Sequence, residues 1–298
     1  MKKTILLLFI LSVQTLWAQR DTVWRLGGMM TLNVTQVSLT NWAAGGQNSF
    51  AGTAMVSSFA NYKHGKNSWE NTASLEYGML EQGRNVHIVK SNDKIDLSSK
   101  YGREAAKKIY YTSLFNFRSQ FAPGYNYPND SVVISRFLAP GYATLALGLD
   151  YKPSDLFSLF LSPATARLIV VNDKKLSSAK SFGVDSGKTT RFEAGAYLKA
   201  AIKEDITPDL NITSTIDFFS NYLDQPENID VNWQLLLSLK VSKYISASLS
   251  TQLLYDDNTR LVFYKSDGFT VDHTGPGTQI KEVVGIGIAY KFAGVGVK

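Results

Sequence analysis

The stretch IDVNWQLLLSLKVSKYISASLSTQLLY, Ile229 to Tyr255, alternates twice. In its first half Ile229, Val231, Trp233, Leu235, Leu237, Leu239 and Val241 share one parity, and Asp230, Asn232, Gln234, Leu236, Ser238 and Lys240 the other. A short turn at Ser242, Lys243 and Tyr244 follows. Ile245, Ala247, Leu249, Thr251, Leu253 and Tyr255 then oppose Ser246, Ser248, Ser250, Gln252, Leu254 and Asp256. Successive side chains of a strand point to opposite faces, so each run predicts a strand with one apolar and one polar face. Strands of soluble sheets usually hold about 5–6 residues, whereas a tilted membrane-crossing strand needs roughly 9–11. Both runs reach the longer length, which predicts a membrane barrel.

The same pattern extends outward in both directions. Toward the N-terminus, Trp24, Leu26, Met30, Leu32 and Val34 oppose Arg25, Thr31, Asn33 and Thr35, and Trp69, Ala73, Leu75, Tyr77 and Met79 oppose Glu70, Thr72, Ser74 and Glu76. Ile109, Tyr111, Phe115, Phe117 and Phe121 oppose Tyr110, Asn116, Arg118 and Gln120, and Phe192 to Ile202 alternates against Arg191, Glu193, Tyr197, Lys199 and Lys203. The last run carries Ile280, Val284, Ile286, Ile288, Tyr290 and Phe292. Together these predict an all-β, transmembrane, antiparallel up-and-down barrel of about twelve strands, an even number as in bacterial barrels. Short connections near 63–66, 104–107, 152–154, 204–207 and 242–244 alternate with long ones. That sorting matches short periplasmic turns and long extracellular loops. Residues 164–189 read as the longest irregular segment, with Leu168 to Val171 as a possible strand extension beyond the membrane. Pro140, Pro153, Pro163 and Pro208 are expected at strand ends, where a missing backbone donor costs least. Trp24, Tyr62, Trp69, Tyr151, Tyr244, Tyr290 and Phe292 are expected as one interfacial aromatic band, and Phe121, Tyr142, Tyr222, Trp233 and Tyr255 as the other.

The chain opens Met1-Lys2-Lys3 and continues through an apolar run, Ile5 to Leu11, to Ala18. A basic start, a short apolar core and a small residue predict a signal peptide over 1–18, with the barrel domain occupying 19–298. No later run of about 18 apolar residues follows, so no membrane helix is expected. The absence of cysteine excludes a lipoprotein anchor, disulfide staples and thiolate metal sites. The formal net charge is +6, two of those charges being Lys2 and Lys3 in the leader. Basic residues are dispersed rather than clustered, so no nucleic-acid partner is expected. A mean hydropathy of −0.09 fits a barrel whose polar lumen and loops dilute its lipid-facing half.

Two stretches carry a family resemblance. Asn41-Trp42-Ala43-Ala44-Gly45-Gly46-Gln47-Asn48-Ser49 resembles the Asn-Trp-x-x-Gly-Gly-x-Asn-Ser signature of the domain-of-unknown-function 3078 family (DUF3078), a bacterial family of outer-membrane proteins. Asn116 to Tyr125, with Pro123-Gly124-Tyr125 at its end, looks like that family's strand-to-loop segment. The resemblance extends over nearly the whole mature chain. It implies a barrel and outer-membrane residence, and implies no activity. Physically, Gly45 and Gly46 supply backbone freedom before the second strand, flanked by amides that can bond loop backbone. Asn41, Trp42, Gly45, Gly46 and Asn48 are therefore candidates for a rim loop folded onto the barrel, or for a constriction or ligand site there.

Catalytic chemistry has little support in the sequence. His64, His87 and His273 show no metal-ligand spacing, and serines beside His87 and His273, such as Ser91 and Ser266, are ordinary loop residues. No enzyme activity and no cofactor are expected. The inward-facing charges are more informative: Arg25, Glu70, Glu76, Asp96, Lys100, Arg118, Asp150, Glu193, Lys199, Asp217, Asp230, Lys240, Lys281 and Lys291 divide evenly between the two signs. Of these, Arg25, Glu70, Glu76, Arg118, Glu193, Lys199, Asp217 and Lys240 are the candidate lumen-lining residues. Inward serine, threonine, asparagine and charge fit a hydrated passage for a small polar or amphipathic solute. Balanced charges and the narrow bore of about twelve strands fit a sealed structural or partner-binding barrel. The expected partners are the bilayer and, because Tyr290 and Phe292 end the last strand on the lipid-facing parity, the machinery that inserts outer-membrane barrels. The six residues beyond Phe292 depart from a terminal aromatic.

Overall fold

Alternating faces produce one closed sheet in the computed structural model, which describes residues 24–38, 48–83, 88–126, 129–266 and 270–293. The leader expected over 1–18 lies outside the described residues. The chain runs through β1 (Trp24–Val37), β2 (Ser49–His64), β3 (Asn67–Gln82), β4 (Val89–Ala106) and β5 (Ile109–Ser119). After the short strands β6 (Gly124–Asn126) and β7 (Asn129–Ser135) it continues with β8 (Gly141–Ser154), β9 (Phe157–Val170), β10 (Thr190–Asp205), β11 (Leu210–Asn221), β12 (Ile229–Lys240) and β13 (Ile245–Tyr255). A second short pair, β14 (Leu261–Tyr264) and β15 (Val271–Gly275), precedes β16 (Gln279–Ala293). The twelve long strands form a closed barrel in which each pairs with its neighbours along the chain and β16 closes on β1. All barrel pairings are antiparallel, so the barrel is up-and-down, as expected. Its strands hold 11 to 18 residues, enough to cross a bilayer.

Outward-facing apolar side chains stay uncovered. Leu145, Leu147 and Leu149 on β8, and Ile280, Val284, Ile286 and Ile288 on β16, all remain exposed, Val284 at 75%. A soluble monomer rarely exposes so continuous an apolar belt, whereas hydrocarbon is its natural solvent. No helix among the described residues is long and apolar enough to cross a membrane. Trp24, Tyr62 and Trp69 cluster at the short-turn end, with ring centroids 5.2 and 5.6 Å apart. Tyr142 departs from the expected second band. It shares the inward parity of Asp150, and its ring packs on the cluster beneath a loop.

Four features differ from the sequence reading. Residues 164–170 are strand, not irregular: β9 continues to Val170, paired with both β8 and β10. Pro163 is accordingly not at a strand end. Both ladders shift register beside it, which places the residue that cannot donate in a bulge. Ser162 pins this bulge, donating to the Leu147 carbonyl at 2.7 Å and accepting from the Thr165 hydroxyl at 2.9 Å. Finally, the long connections after β5 and β13 contain the hairpins β6–β7 and β14–β15, which the alternation of short and long connections does not show.

Candidate functional site

The barrel interior is filled on one side and open on the other. Leu114, Ala146, Phe160, Tyr197 and Phe219 point inward from β5, β8, β9, β10 and β11 and pack into a dry cluster, each at most 7% exposed. Facing strands carry small polar residues inward, such as Ser57, Thr72, Ser74, Ser246, Ser248 and Ser250. Side chains that short cannot reach the cluster, and two cavities remain. One of about 320 Å³ lies toward the long loops, bounded by Tyr142, Arg167, Phe182 and Asp256. The other, about 310 Å³, lies toward the short turns among Met29, Met55 and the serines. Asp96, Arg118, Tyr197, Asp217 and Asn232 line both, so the cavities follow one another with a common wall at Arg118.

Charged groups are arranged in three tiers along the barrel. At the short-turn end Lys100 binds Asp150 at 2.9 Å and Glu70 at 3.3 Å, while Lys152 pairs with both carboxylates. The Ser158 hydroxyl adds a 2.8 Å bond to Asp150. In the middle tier Glu76 accepts from Asn92 at 2.8 Å and sits 3.6 Å from Lys94, and Lys281 reaches across to the Asn92 amide oxygen. Asp96 accepts from Asn116, and Asp217 from Asn232, each at 2.8 Å, with Lys199 3.8 Å from Asp217. At the long-loop end Arg167 joins Asp230 at 2.6 Å and Glu193 at 3.4 Å, and its guanidinium lies 3.7 Å from the centre of the Phe219 ring. Arg191 shares Glu193 at 3.1 Å and holds Asp224 at 3.2 Å. Burying charge is costly unless it is paired, and the two outer tiers pair theirs, whereas in the middle tier Asp96 holds a hydrogen bond from Asn116 and no described ion pair.

The eight lumen candidates fall into distinct places. Glu76, Arg118, Lys199 and Asp217 line the cavities. Glu70 and Glu193 lie in the paired tiers above and below, Glu193 only 1% exposed. Arg25 is exposed near the short-turn end, and Lys240 lies 4.0 Å from Asp209 in the adjoining turn, so both stand outside the two cavities. Arg167 is absent from the candidates because Pro163 was expected to end its strand. Its signal was nevertheless present: Thr165, Arg167 and Ile169 alternate against Ala166, Leu168 and Val170, one position out of phase with Leu159 and Leu161. Of the rim motif, Asn41, Trp42, Gly45 and Gly46 lie outside the described residues. The Asn48 carbonyl accepts from the Gly83 amide at 2.8 Å.

A folded loop covers the long-loop end. Between β9 and β10 the chain forms a short helix, α1 (Lys174–Ser178), whose first amides bond the Asp173 carboxylate. Those bonds, that from the Leu176 amide foremost, together with Arg136 at 2.9 Å, hold the Asp173 carboxyl below the usual carboxylate range. Ala139, Ile169, Val171, Leu176 and Val184 make a small core there, with Tyr142 and Phe182 packed against it. Phe182 also borders the upper cavity. Among the histidines, His64 sits beside Tyr62, and His273 bonds Asp272 at 2.9 Å and stacks on Phe263. His87 lies outside the described residues.

No curated protein matches the chain. Among solved structures it is similar to the translocator domain of the autotransporter NalP from Neisseria meningitidis: 9% identity, 98% of this chain and 95% of that one covered, TM-score 0.37. It is also similar to the COG4313 outer membrane channel from Pseudomonas putida F1, at 10% identity, 92% and 97% coverage and TM-score 0.39. Likeness at that level transfers no function. The profile of the family described as "Protein of unknown function (DUF3078)" matches residues 34–125, which include both stretches that carry the sequence resemblance but not the second half of the barrel.

Proposed function

We propose that this protein is an outer-membrane passage for a small polar or amphipathic solute, narrowest at Arg118. The observation that carries this reading is the pair of cavities, about 320 and 310 Å³, in series and sharing the Arg118 wall. Small inward serines and threonines leave both cavities unfilled, whereas a structural barrel could have filled them with apolar side chains. In this reading the leader over 1–18 directs export, the long loops face outward, and the bilayer and the barrel insertion machinery are the partners. The barrel works without cofactor, nucleic acid or catalysis.

A second reading, a sealed structural or partner-binding barrel, is favoured by the paired tiers and by the loop that brings Phe182 over the upper cavity. Planar-bilayer recordings of folded protein separate the two. A passage gives reproducible conductance that Arg118→Ala raises by removing the side chain from the common wall. Silence of the wild type that persists after residues 173–188 are replaced by a short turn supports the sealed barrel.

A further inference from the structure

We infer that the upper cavity binds a small zwitterion, its carboxylate received by Arg118 and its ammonium by Asp256. The inference rests on the passage reading and names the solute class. Both residues line the same cavity. Arg118 makes no ion pair with any described carboxylate, its Nε is shut from solvent without an acceptor, and its one described ring contact is Tyr142, 6.0 Å away. Two acids share its wall and attract its charge without reaching ion-pair distance of it, Asp96 accepting from Asn116 and Asp217 from Asn232 with Lys199 3.8 Å away. A guanidinium with its donor fork free matches a carboxylate, which accepts two parallel bonds from it.

Asp256 is the complementary case. It accepts from the Asn258 amide at 2.8 Å and the Thr259 hydroxyl at 3.2 Å, and no described cation pairs with it. The nearby guanidiniums are already taken, Arg167 by Glu193 and Asp230, Arg191 by Glu193 and Asp224. That end of the cavity therefore carries an excess of acid, which repels a simple anion. A simple cation is opposed by Arg118 and by Lys281, whose described bond is to the neutral Asn92 side chain. A dipolar molecule meets both ends with the correct sign. Phe182, Phe219 and Tyr142 supply apolar wall between polar groups, and about 320 Å³ lies at the small end of the roughly 300–1,000 Å³ typical of small-molecule sites.

The test is equilibrium binding to the folded full chain in detergent micelles, with alanyl-alanine as probe and its N-acetylated and C-amidated forms as controls. Saturable binding of alanyl-alanine is expected, weakened about tenfold or more by capping either end, as for loss of a charge-assisted hydrogen bond. Arg118→Gln should abolish the preference for the free carboxylate but keep that for the free amine, and Asp256→Asn should do the reverse. Absence of saturable binding, or a capped form binding as tightly as alanyl-alanine, overturns the inference. The capped series needs only the wild type, so a misfolded variant does not blunt it. Binding alongside silent bilayers would defeat the passage reading alone, and conductance without binding would defeat this inference alone.

Discussion

Arg167 holds two carboxylates in the barrel interior, one of them Glu193 with its side chain 2% exposed. Replacing it with Met keeps bulk but leaves Glu193 with Arg191 alone and Asp230 with no ion pair. Removing one partner of a buried pair costs about 3–5 kcal/mol, mostly from the stranded charge. Arg167→Met should lower stability by that amount in urea titrations of the micelle-embedded protein. The triple variant Arg167→Met, Glu193→Gln, Asp230→Asn should recover most of the loss; equal losses in both would show that the stranded charges are not the cause. Local alternation identified Glu193 and Asp230 as inward-facing. It did so because both lie in strands with unbroken phase, whereas Arg167 follows a bulge that inverts the phase.

The elements were legible where nothing interrupts the period of two. Two strands show where it gives out: β2, with small residues on both faces, and β9, with its bulge at Pro163. The closing strand adds a constraint that periodicity cannot reveal. Gly285 and Gly287 of β16 face Asn33 of β1, and the space a side chain would need is already occupied. At 285 the obstacle is the Asn33 side chain, which can rotate away; at 287 it is the Leu32 carbonyl, fixed in the ladder. Both Gly→Ala variants overpack the seam, at a typical cost of about 1–3 kcal/mol. Asn33→Ala should rescue Gly285→Ala and not Gly287→Ala, judged by the fraction of protein that keeps folded mobility on unheated gels. Equal rescue would mean that the seam yields as a whole.

Twelve strands and the division into short and long connections could be read from spacing, and several inward residues from parity, but the contacts inside the lumen could not. They depend on side chains that meet across it, such as Lys94 with Gln234 and Lys281 with Asn92, pairs far apart in sequence. Closure is another property of the whole chain. The first half of β16 pairs with β13, from Gln279 to Ile288, and its end pairs with β1, from Gly287 to Ala293, so the last strand bridges two neighbours in a staggered register. The seam with β1 extends only from Gly27 to Asn33, shorter than the pairing of β1 with β2 from Trp24 to Val37. At the end of this seam the Phe292 ring lies over Gly28, supplying the side chain that the glycine lacks. Phe292→Asp therefore removes packing at the weakest join and places a charge on the lipid-facing parity. Outer-membrane levels should fall severalfold. If the loss comes from the join itself, unassisted refolding into detergent should fall too, and Phe292→Leu should restore part of both. If refolding is normal while membrane levels fall, the residue acts as a signal read by the insertion machinery. Unchanged levels would exclude both roles.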